Sequence, residues 1–417
     1  MLNKGVPSTF PNIKALYTDP EKKAIVEELA LGYATEKKAN GSAGGQTNGD
    51  ITDRFEQSVL YFLAQHYDYH LSRDLTKASE YISQLLKLNP KSVDYHQLEA
   101  RILKHSGNSQ KAADTMNEAR LRDEKDRYIN TKCAKYQLRN NQNELALQTM
   151  SKFTRNEATG GPLGDLHDMQ CMWYLTEDGE AYMRQKDLGL ALKRFTAVAD
   201  IFDIWHEDQF DFHSFSLRKG QIRAYIDMIR WEDHIRDHPF FTRAAISAIK
   251  IYLILATQQE LVRADETSEA SQEITKERKK AEKKAKKALE KLKKEEEDRK
   301  AAAAKKATPK KVDEDEVKKE DLDPLGIKLT ETKEPLEASL RFLTPLLEFS
   351  PKNIEAQNIG FEVHFRRGTT PTMVLANSTN EQAGKYLQAL KCLNAAHALD
   401  PENPKVHEQA VRFRKAS

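Results

Sequence analysis

The side chains in this sequence best suited to chemistry are cations. Lys132, Lys135 and Arg139 fall at i, i+3 and i+7, so on a helix they share one face. Lys152 and Arg155, again three apart, follow in what reads as the second helix of the same hairpin. If that hairpin closes, the five charges converge near one groove. Like charges about 8 Å apart repel by on the order of 0.5–2 kcal/mol per pair at intermediate dielectric. Such a face either relaxes outward into water or takes up an anion, a polyphosphate or an acidic partner.

Other chemistry finds little support. His66 and His70 stand at i, i+4, as do His234 and His238, a spacing that can bring two imidazoles to one metal. The zinc-protease version needs a glutamate directly after the first histidine. Here the strings are His-Tyr-Asp-Tyr-His and His-Ile-Arg-Asp-His, so ordinary core or surface histidines are expected and no metal site is assigned. The sequence has no GxSxG elbow and no GxxxxGK[ST] phosphate loop. Nor does it have the Arg/Gln-x-x-Gly-x-Gly/Ala loop of the common acetyl-CoA-binding fold. No catalytic residue is assigned, and the chain is not expected to be an enzyme by itself.

The cations need elements to hold them, and a ruler of 34 residues supplies these. Ala78, Ala112 and Ala146 stand 34 apart, each followed by apolar residues at +4 (Ile82, Met116, Met150) and +7 (Leu85, Ala119, Phe153). A second column, His66, Ala100 and Ala134, precedes them by 12. The period and the small residues are those of tetratricopeptide (TPR) repeats, whose helix pairs stack to share a core. The phrase recurs as Leu175, Gly179, Tyr182, Ala191, Phe195 and Val198, delayed by the glycine-rich insertion Thr159 to Gly164. An all-α, TPR-like α-solenoid of antiparallel helix pairs is the expected fold.

Four segments follow. Residues 1–54 hold N-terminal helices, one starting at Asp19-Pro20, and a loop from Lys38 to Asp50 rich in Gly, Ser and Asn. Residues 55–262 hold the repeats, with a break expected at His238-Pro239. Residues 263–322 form a charged linker, whose Lys276 to Lys311 stretch carries seventeen basic and seven acidic residues. It cannot build a core; it either keeps the chain in solution or contacts nucleic acid such as ribosomal RNA. Repeats return in 323–417, around Ala338, Phe342, Gly360, Ala389, Leu393 and Ala396, with an inserted loop near Thr369 to Asn380.

Composition agrees with a partner-binding solenoid. The chain has 417 residues, 39% hydrophobic, with a net charge of +2 although 31% of residues are charged. Cys133, Cys171 and Cys392 form no CxxC pair, which points to a reducing compartment rather than a disulfide framework. The start lacks a signal core, and the apolar run Ala244 to Leu255 is too short to cross a membrane, so a cytoplasmic protein is expected. Aromatic residues crowd between Trp173 and Phe241. Most belong to the core, and a few on the surface can anchor a partner: Phe153, Trp173, Trp205, Phe210 and Phe212 are the candidates.

Several strings in this region resemble the auxiliary subunit of the NatA N-terminal acetyltransferase. They are Gln170-Cys171-Met172-Trp173, Asp208-Gln209-Phe210-Asp211-Phe212-His213, Arg236-Asp237-His238-Pro239-Phe240, Lys132-Cys133-Ala134-Lys135-Tyr136 and Ser151-Lys152-Phe153-Thr154-Arg155. The order of parts is similar too, with a coiled-coil-like Lys/Glu-rich stretch between helical blocks. The resemblance implies a non-catalytic scaffold that wraps and activates a separate catalytic acetyltransferase subunit. It implies docking at the ribosome, where the complex acetylates nascent chains with small N-terminal residues. Acetyl-CoA would bind only the partner. A second acetyltransferase and a small huntingtin-interacting regulator are further implied partners. Inositol hexakisphosphate is an implied structural ligand, with Lys132, Lys135 and Lys152 matching its pocket and Arg139 and Arg155 added from helical geometry. Family members are about twice this length, so the likeness is to their C-terminal half. The alternatives are an unrelated TPR adaptor or co-chaperone, and a tether to ribosome or RNA.

Overall fold

Polar residues at the starts of the repeats set where their helices begin. The structure, a computed structural model, describes residues 1–40, 49–266, 321, 323–369 and 379–416. Every regular element among the described residues is helical, and the chain divides into two compact units, Met1–Gln185 and Lys186–Ser417.

The first unit holds α1 (Thr9–Ile13), α2 (Pro20–Asn40), α3 (Gly49–Asp68), α4 (Leu75–Leu88), α5 (Val93–His105), α6 (Ser109–Arg122), α7 (Arg127–Arg139), α8 (Asn143–Met150), α9 (Gly161–Asp168) and α10 (Met172–Arg184). Asp74, Ser92, Asn108 and Asp126 cap α4, α5, α6 and α7, each accepting a hydrogen bond from a first-turn backbone N–H. Asp19 does the same for α2, as the Asp-Pro pair implies.

Consecutive helices then pack as hairpins, α3 with α4, α5 with α6 and α7 with α8. Ala78, Ala112, Ala146, Ala100 and Ala134 are all essentially inaccessible, because a larger side chain would hold the helices apart. His66 fills the same column in the first repeat. There it meets the N-terminal segment, its Nδ1 2.6 Å from the Tyr17 hydroxyl, and burial holds its pKa below the ordinary value. His70, exposed on the following turn, stacks edge-on against Tyr69.

The glycine-rich insertion is more than a spacer, since it starts α9. Gly160 takes a left-handed φ of 81° as the helix's N-cap, and a Cβ on Gly164 would stand 1.9 Å from the Thr159 carbonyl oxygen.

The second unit holds α11 (Leu188–Arg218), α12 (Ile222–Glu232), α13 (Pro239–Glu266), α14 (Ile327–Thr330), α15 (Pro335–Ala338), α16 (Leu340–Phe349), α17 (Ile354–Thr369), α18 (Thr379–Leu399) and α19 (Pro404–Ala416). α11 is a continuous helix of 31 residues that includes Phe210. The break at His238-Pro239 is where α13 begins. By length and mean hydropathy, 1.5 over Pro239–Val262, α13 would pass for a membrane span, whereas the apolar run alone appeared too short. It is the core helix of this unit, packed on α11, α15, α16 and α17, with Ala245, Ala248, Ile249 and Ile251 fully buried.

These packings redraw the sequence-based segments. Residues 1–54 do not stand apart, because Phe10, Tyr17 and Ala30 share a core with Val59, Phe62 and Leu63. The division between units falls at Gln185/Lys186, inside the 55–262 block, and the helices after residue 323 join α11 and α13 in one unit. The 263–322 segment is therefore an insertion within one unit, not a joint between two blocks. Its Lys276 to Lys311 stretch, like most of the loops at 38–50 and 369–380, lies outside the described residues.

The chain returns from that insertion through a backbone clasp. Gly189 on α11 lies against Leu325 and Gly326, so close that a Cβ at 189 would stand 2.4 Å from the Leu325 carbonyl oxygen. Lys193 pairs with Asp321 and donates to the Asp323 carbonyl oxygen at 2.8 Å, and Gln259 of α13 donates to the Thr332 carbonyl oxygen at 2.7 Å.

Gly189→Ala should force this clasp open and cost about 1–3 kcal/mol, as overpacking does. Urea unfolding gives the loss, and hydrogen exchange should rise at residues 323–332. A second prediction concerns His364 in α17, 7% exposed, whose Nδ1 has no hydrogen-bond partner. Burial, helped by the Arg367 charge, lowers its pKa to about 4. The unfolded chain therefore binds the proton first, so stability should fall as pH drops from about 6.5 to about 4 and then level off. The loss should approach 3 kcal/mol on the order-of-magnitude conversion of that shift. His364→Gln should flatten this part of the pH–stability curve.

Candidate anion-binding cleft

Repeat geometry stacks cations from neighbouring hairpins. Arg101 of α5 precedes Lys135 of α7 by the same 34 residues that separate the alanines, so the two occupy equivalent positions on adjacent repeats. The structure places both on one cleft of about 210 Å³, together with Lys104 of α5 and Lys132 and Arg139 of α7. Tyr61, Tyr128 and Tyr136 complete the walls, and Asp94 is the one carboxylate among the lining residues. Lys132 Nζ lies 5.2 Å from the centroid of the Tyr128 ring and Lys104 Nζ 5.9 Å from that of Tyr136.

Two buried carboxylates behind the cleft keep so many like charges together. Glu177 of α10, 1% exposed, accepts two hydrogen bonds from Arg139, at 3.1 and 2.9 Å, and lies 3.3 Å from Lys135 Nζ. Asp68 at the end of α3, 3% exposed, accepts from Arg101 Nε at 2.8 Å. Five cations against Asp94, Glu177 and Asp68 leave an excess of two positive charges by formal count. Lys104 feels it. Burial, then the neighbouring Arg139, Arg101 and Lys132, depress its pKa below the ordinary lysine value, with Asp68 opposing. Burial also pushes the Tyr61 and Tyr136 hydroxyls up to about 12, so both are neutral donors at the cleft.

The sequence-derived cations thus divide. Lys132, Lys135 and Arg139 share the cleft, but Lys152 and Arg155 do not line it. Lys152 pairs with Glu124 at 2.5 Å. Arg155 binds Asp165 of α9, donating from its side chain at 2.6 Å and its backbone at 2.9 Å. Both lie in or just after the short 3-10 turn after α8, where the hairpin was expected to carry them to the groove. Arg101 and Lys104 come from the preceding repeat instead, and the spacing of Arg101 from Lys135 was the signal for Arg101.

Of the aromatic candidates, Phe153, Trp173 and Trp205 are half-buried. Trp173 packs beside Tyr174 at 5.7 Å, against the core of Ala134, Leu138 and Met150. Trp205 contacts Phe202 at 5.4 Å and lies 6.3 Å from Trp231, which is half exposed. The side chains of Phe210 and Phe212 lie outside the described residues. Each histidine of the second pair is engaged separately: His234 is exposed, and His238 Nδ1 accepts from the Phe240 backbone N–H at 3.2 Å.

Known proteins share this arrangement of helices. The profile of the family described as "N-terminal acetyltransferase A, auxiliary subunit" matches residues 1–383. This chain belongs to that family. It is 36% identical over 416 residues to the Arabidopsis thaliana N-terminal acetyltransferase A complex auxiliary subunit NAA15, covering 99% of this chain and 43% of that protein. It is 36% identical over 436 residues to the human N-alpha-acetyltransferase 16, NatA auxiliary subunit, covering 99% and 46%. A chain in the solved structure of Naa15/Naa10 bound to HypK-THB superposes with a TM-score of 0.76 and 45% identity, over 100% of this chain and 50% of that one. The chain spans about half the length of the auxiliary subunits it matches.

Glu177→Gln removes the main counter-charge of Lys135 and Arg139. It should cost about 1–3 kcal/mol of stability, the penalty for unpairing buried polar groups. Because the two cations are then freed, tripolyphosphate should bind the variant several-fold more tightly than the parent chain. Denaturant melting and calorimetric titration measure the two effects.

Proposed function

We propose that this chain acts as a non-catalytic scaffold in a NatA-type N-terminal acetyltransferase. It holds a separate catalytic subunit, shapes that subunit's active site, and helps bring the complex to the ribosome in the cytoplasm. There the assembly acetylates nascent chains that expose small N-terminal residues, with acetyl-CoA bound to the catalytic subunit. The observation that carries this reading is the match along the full chain to an auxiliary subunit in the Naa15/Naa10 structure. A second acetyltransferase and a small HypK-like regulator are the further partners this reading includes.

The cleft supplies the chemistry of assembly. Its two-charge excess favours a densely charged anion, and inositol hexakisphosphate is the ligand we assign to it, as a structural element rather than a cofactor of the reaction. Lys132, Lys135, Arg139, Arg101 and Lys104 would hold it, with the charge-assisted hydrogen bonds that arginine and lysine make to phosphate. The seventeen basic residues of Lys276 to Lys311 are the segment we assign to ribosomal RNA, through salt-sensitive phosphate contacts.

Tagged chain should co-purify with a small acetyltransferase, identified by mass spectrometry. Charge reversal in Lys132→Glu/Lys135→Glu should lower inositol hexakisphosphate affinity at least about tenfold, equivalent to ~1.4 kcal/mol. It should also reduce recovery of the catalytic subunit. Recovery of no acetyltransferase by the unaltered chain would count against the scaffold reading, and unchanged ligand affinity against the cleft assignment.

A further inference from the structure

Sharing Arg101 with the cleft is a second pocket, of about 250 Å³. Lys14, just after α1, Gln65 and Asp68 of α3, Arg73 in the turn after α3, and Arg101 and His105 of α5 line it. Gln65 is 5% exposed, and its amide nitrogen is buried with no hydrogen-bond partner. A buried donor left in that state costs about 1–3 kcal/mol, so it calls for an acceptor.

Asp68 does not meet that need. Its carboxylate is paired with Arg101 Nε at 2.8 Å and hydrogen-bonded to His105 Nδ1 at 2.5 Å, and all three residues line the pocket. Burial keeps the His105 pKa below its ordinary value despite the Asp68 contact, so the imidazole adds no charge near pH 7. The cations then outnumber the carboxylate: Lys14, Arg73 and Arg101 against Asp68 leave two positive charges. Lys14 and Arg73 are exposed, and among the described residues Arg73 has a long 3.5 Å contact to the Asp68 carbonyl oxygen.

We propose that this pocket is a second anion site, its charge matched to a single phosphate group, either inorganic phosphate or a small phosphate monoester. Gln65 donates to one oxygen from the buried end, and Lys14 and Arg73 close over the others from the rim. Two positive charges balance the two negative charges of a phosphate at neutral pH. Arg101, fixed on Asp68, supplies field rather than a direct ligand. The site does not depend on the complex proposed above, since every residue in it comes from the first unit of this chain.

The test is calorimetric titration of the full chain with inorganic phosphate, and separately with phenyl phosphate, at low ionic strength, where surface charges are least screened. Saturable binding with a Kd near or below about 1 mM is expected for at least one of them. Phosphate alone binding identifies the free ion as the ligand, and tighter binding of phenyl phosphate identifies a monoester. Lys14→Ala/Arg73→Ala alters two exposed side chains and should weaken binding at least about tenfold, whereas Lys132→Ala/Lys135→Ala should leave it within about twofold. Gln65→Leu should also weaken binding while raising the thermal midpoint of the ligand-free chain, because an unpaired donor is removed. The proposal is overturned by an absence of saturable heat, by a loss confined to Lys132→Ala/Lys135→Ala, or by unchanged affinity in Lys14→Ala/Arg73→Ala.

Discussion

Close helix approach at a few alanines is the constraint on which this chain depends. Ala78, Ala100, Ala112, Ala134 and Ala146 have no appreciable exposure, and each lies on a helix packed against its hairpin partner in the first unit. Short side chains there let larger neighbours such as Ile82, Met116 and Leu138 fill the space between hairpins. Regular stacking then carries surface residues into register as strictly as it does the buried ones. The pairing of Arg101 with Lys135 across the cleft is a consequence of core packing, one repeat laid on the next.

That arrangement would be costly without counter-charges. Glu177 and Asp68 are placed behind the cations, nearly without solvent contact, so the positive face is held rather than merely tolerated. Buried carboxylates are expensive to desolvate, and these are offset by Arg139 and Lys135 at Glu177 and by Arg101 and His105 at Asp68. The first unit therefore spends part of its stability on presenting positive charge, which fits a surface whose work is to hold something negative or to meet another subunit.

Much of the fold was legible because its signals are local. Asp19-Pro20 and His238-Pro239 mark helix limits through backbone chemistry alone, and the alanine period marks which faces meet. What escaped the sequence depended on distant packing. The glycines at 160 and 164 read as an insertion that delays the next repeat, yet they start α9, and only the Thr159 carbonyl shows why 164 must lack a side chain. The unit boundary was hidden since the repeat phrase runs across Gln185 and Lys186 without interruption. For the cleft, the three cations of α7 were found from helical periodicity, while Lys152 and Arg155 were drawn away by Glu124 and Asp165, partners no spacing rule reveals. Lys104 had no signal of its own. Its position follows only from the helix that Arg101 occupies.

Gly189 and Gly326 touch where the chain re-enters the second unit, while α13, the helix that leads out of it, reaches Thr332 through Gln259. Both feet of the insertion thus stand on the same floor. The entropy of closing such an excursion grows only with the logarithm of its length, roughly 0.6 kcal/mol for each doubling. Relatives are consequently free to lengthen, shorten or recompose this tract with little effect on the helices beneath it, and sequence drift there should be fast while the two glycines stay fixed.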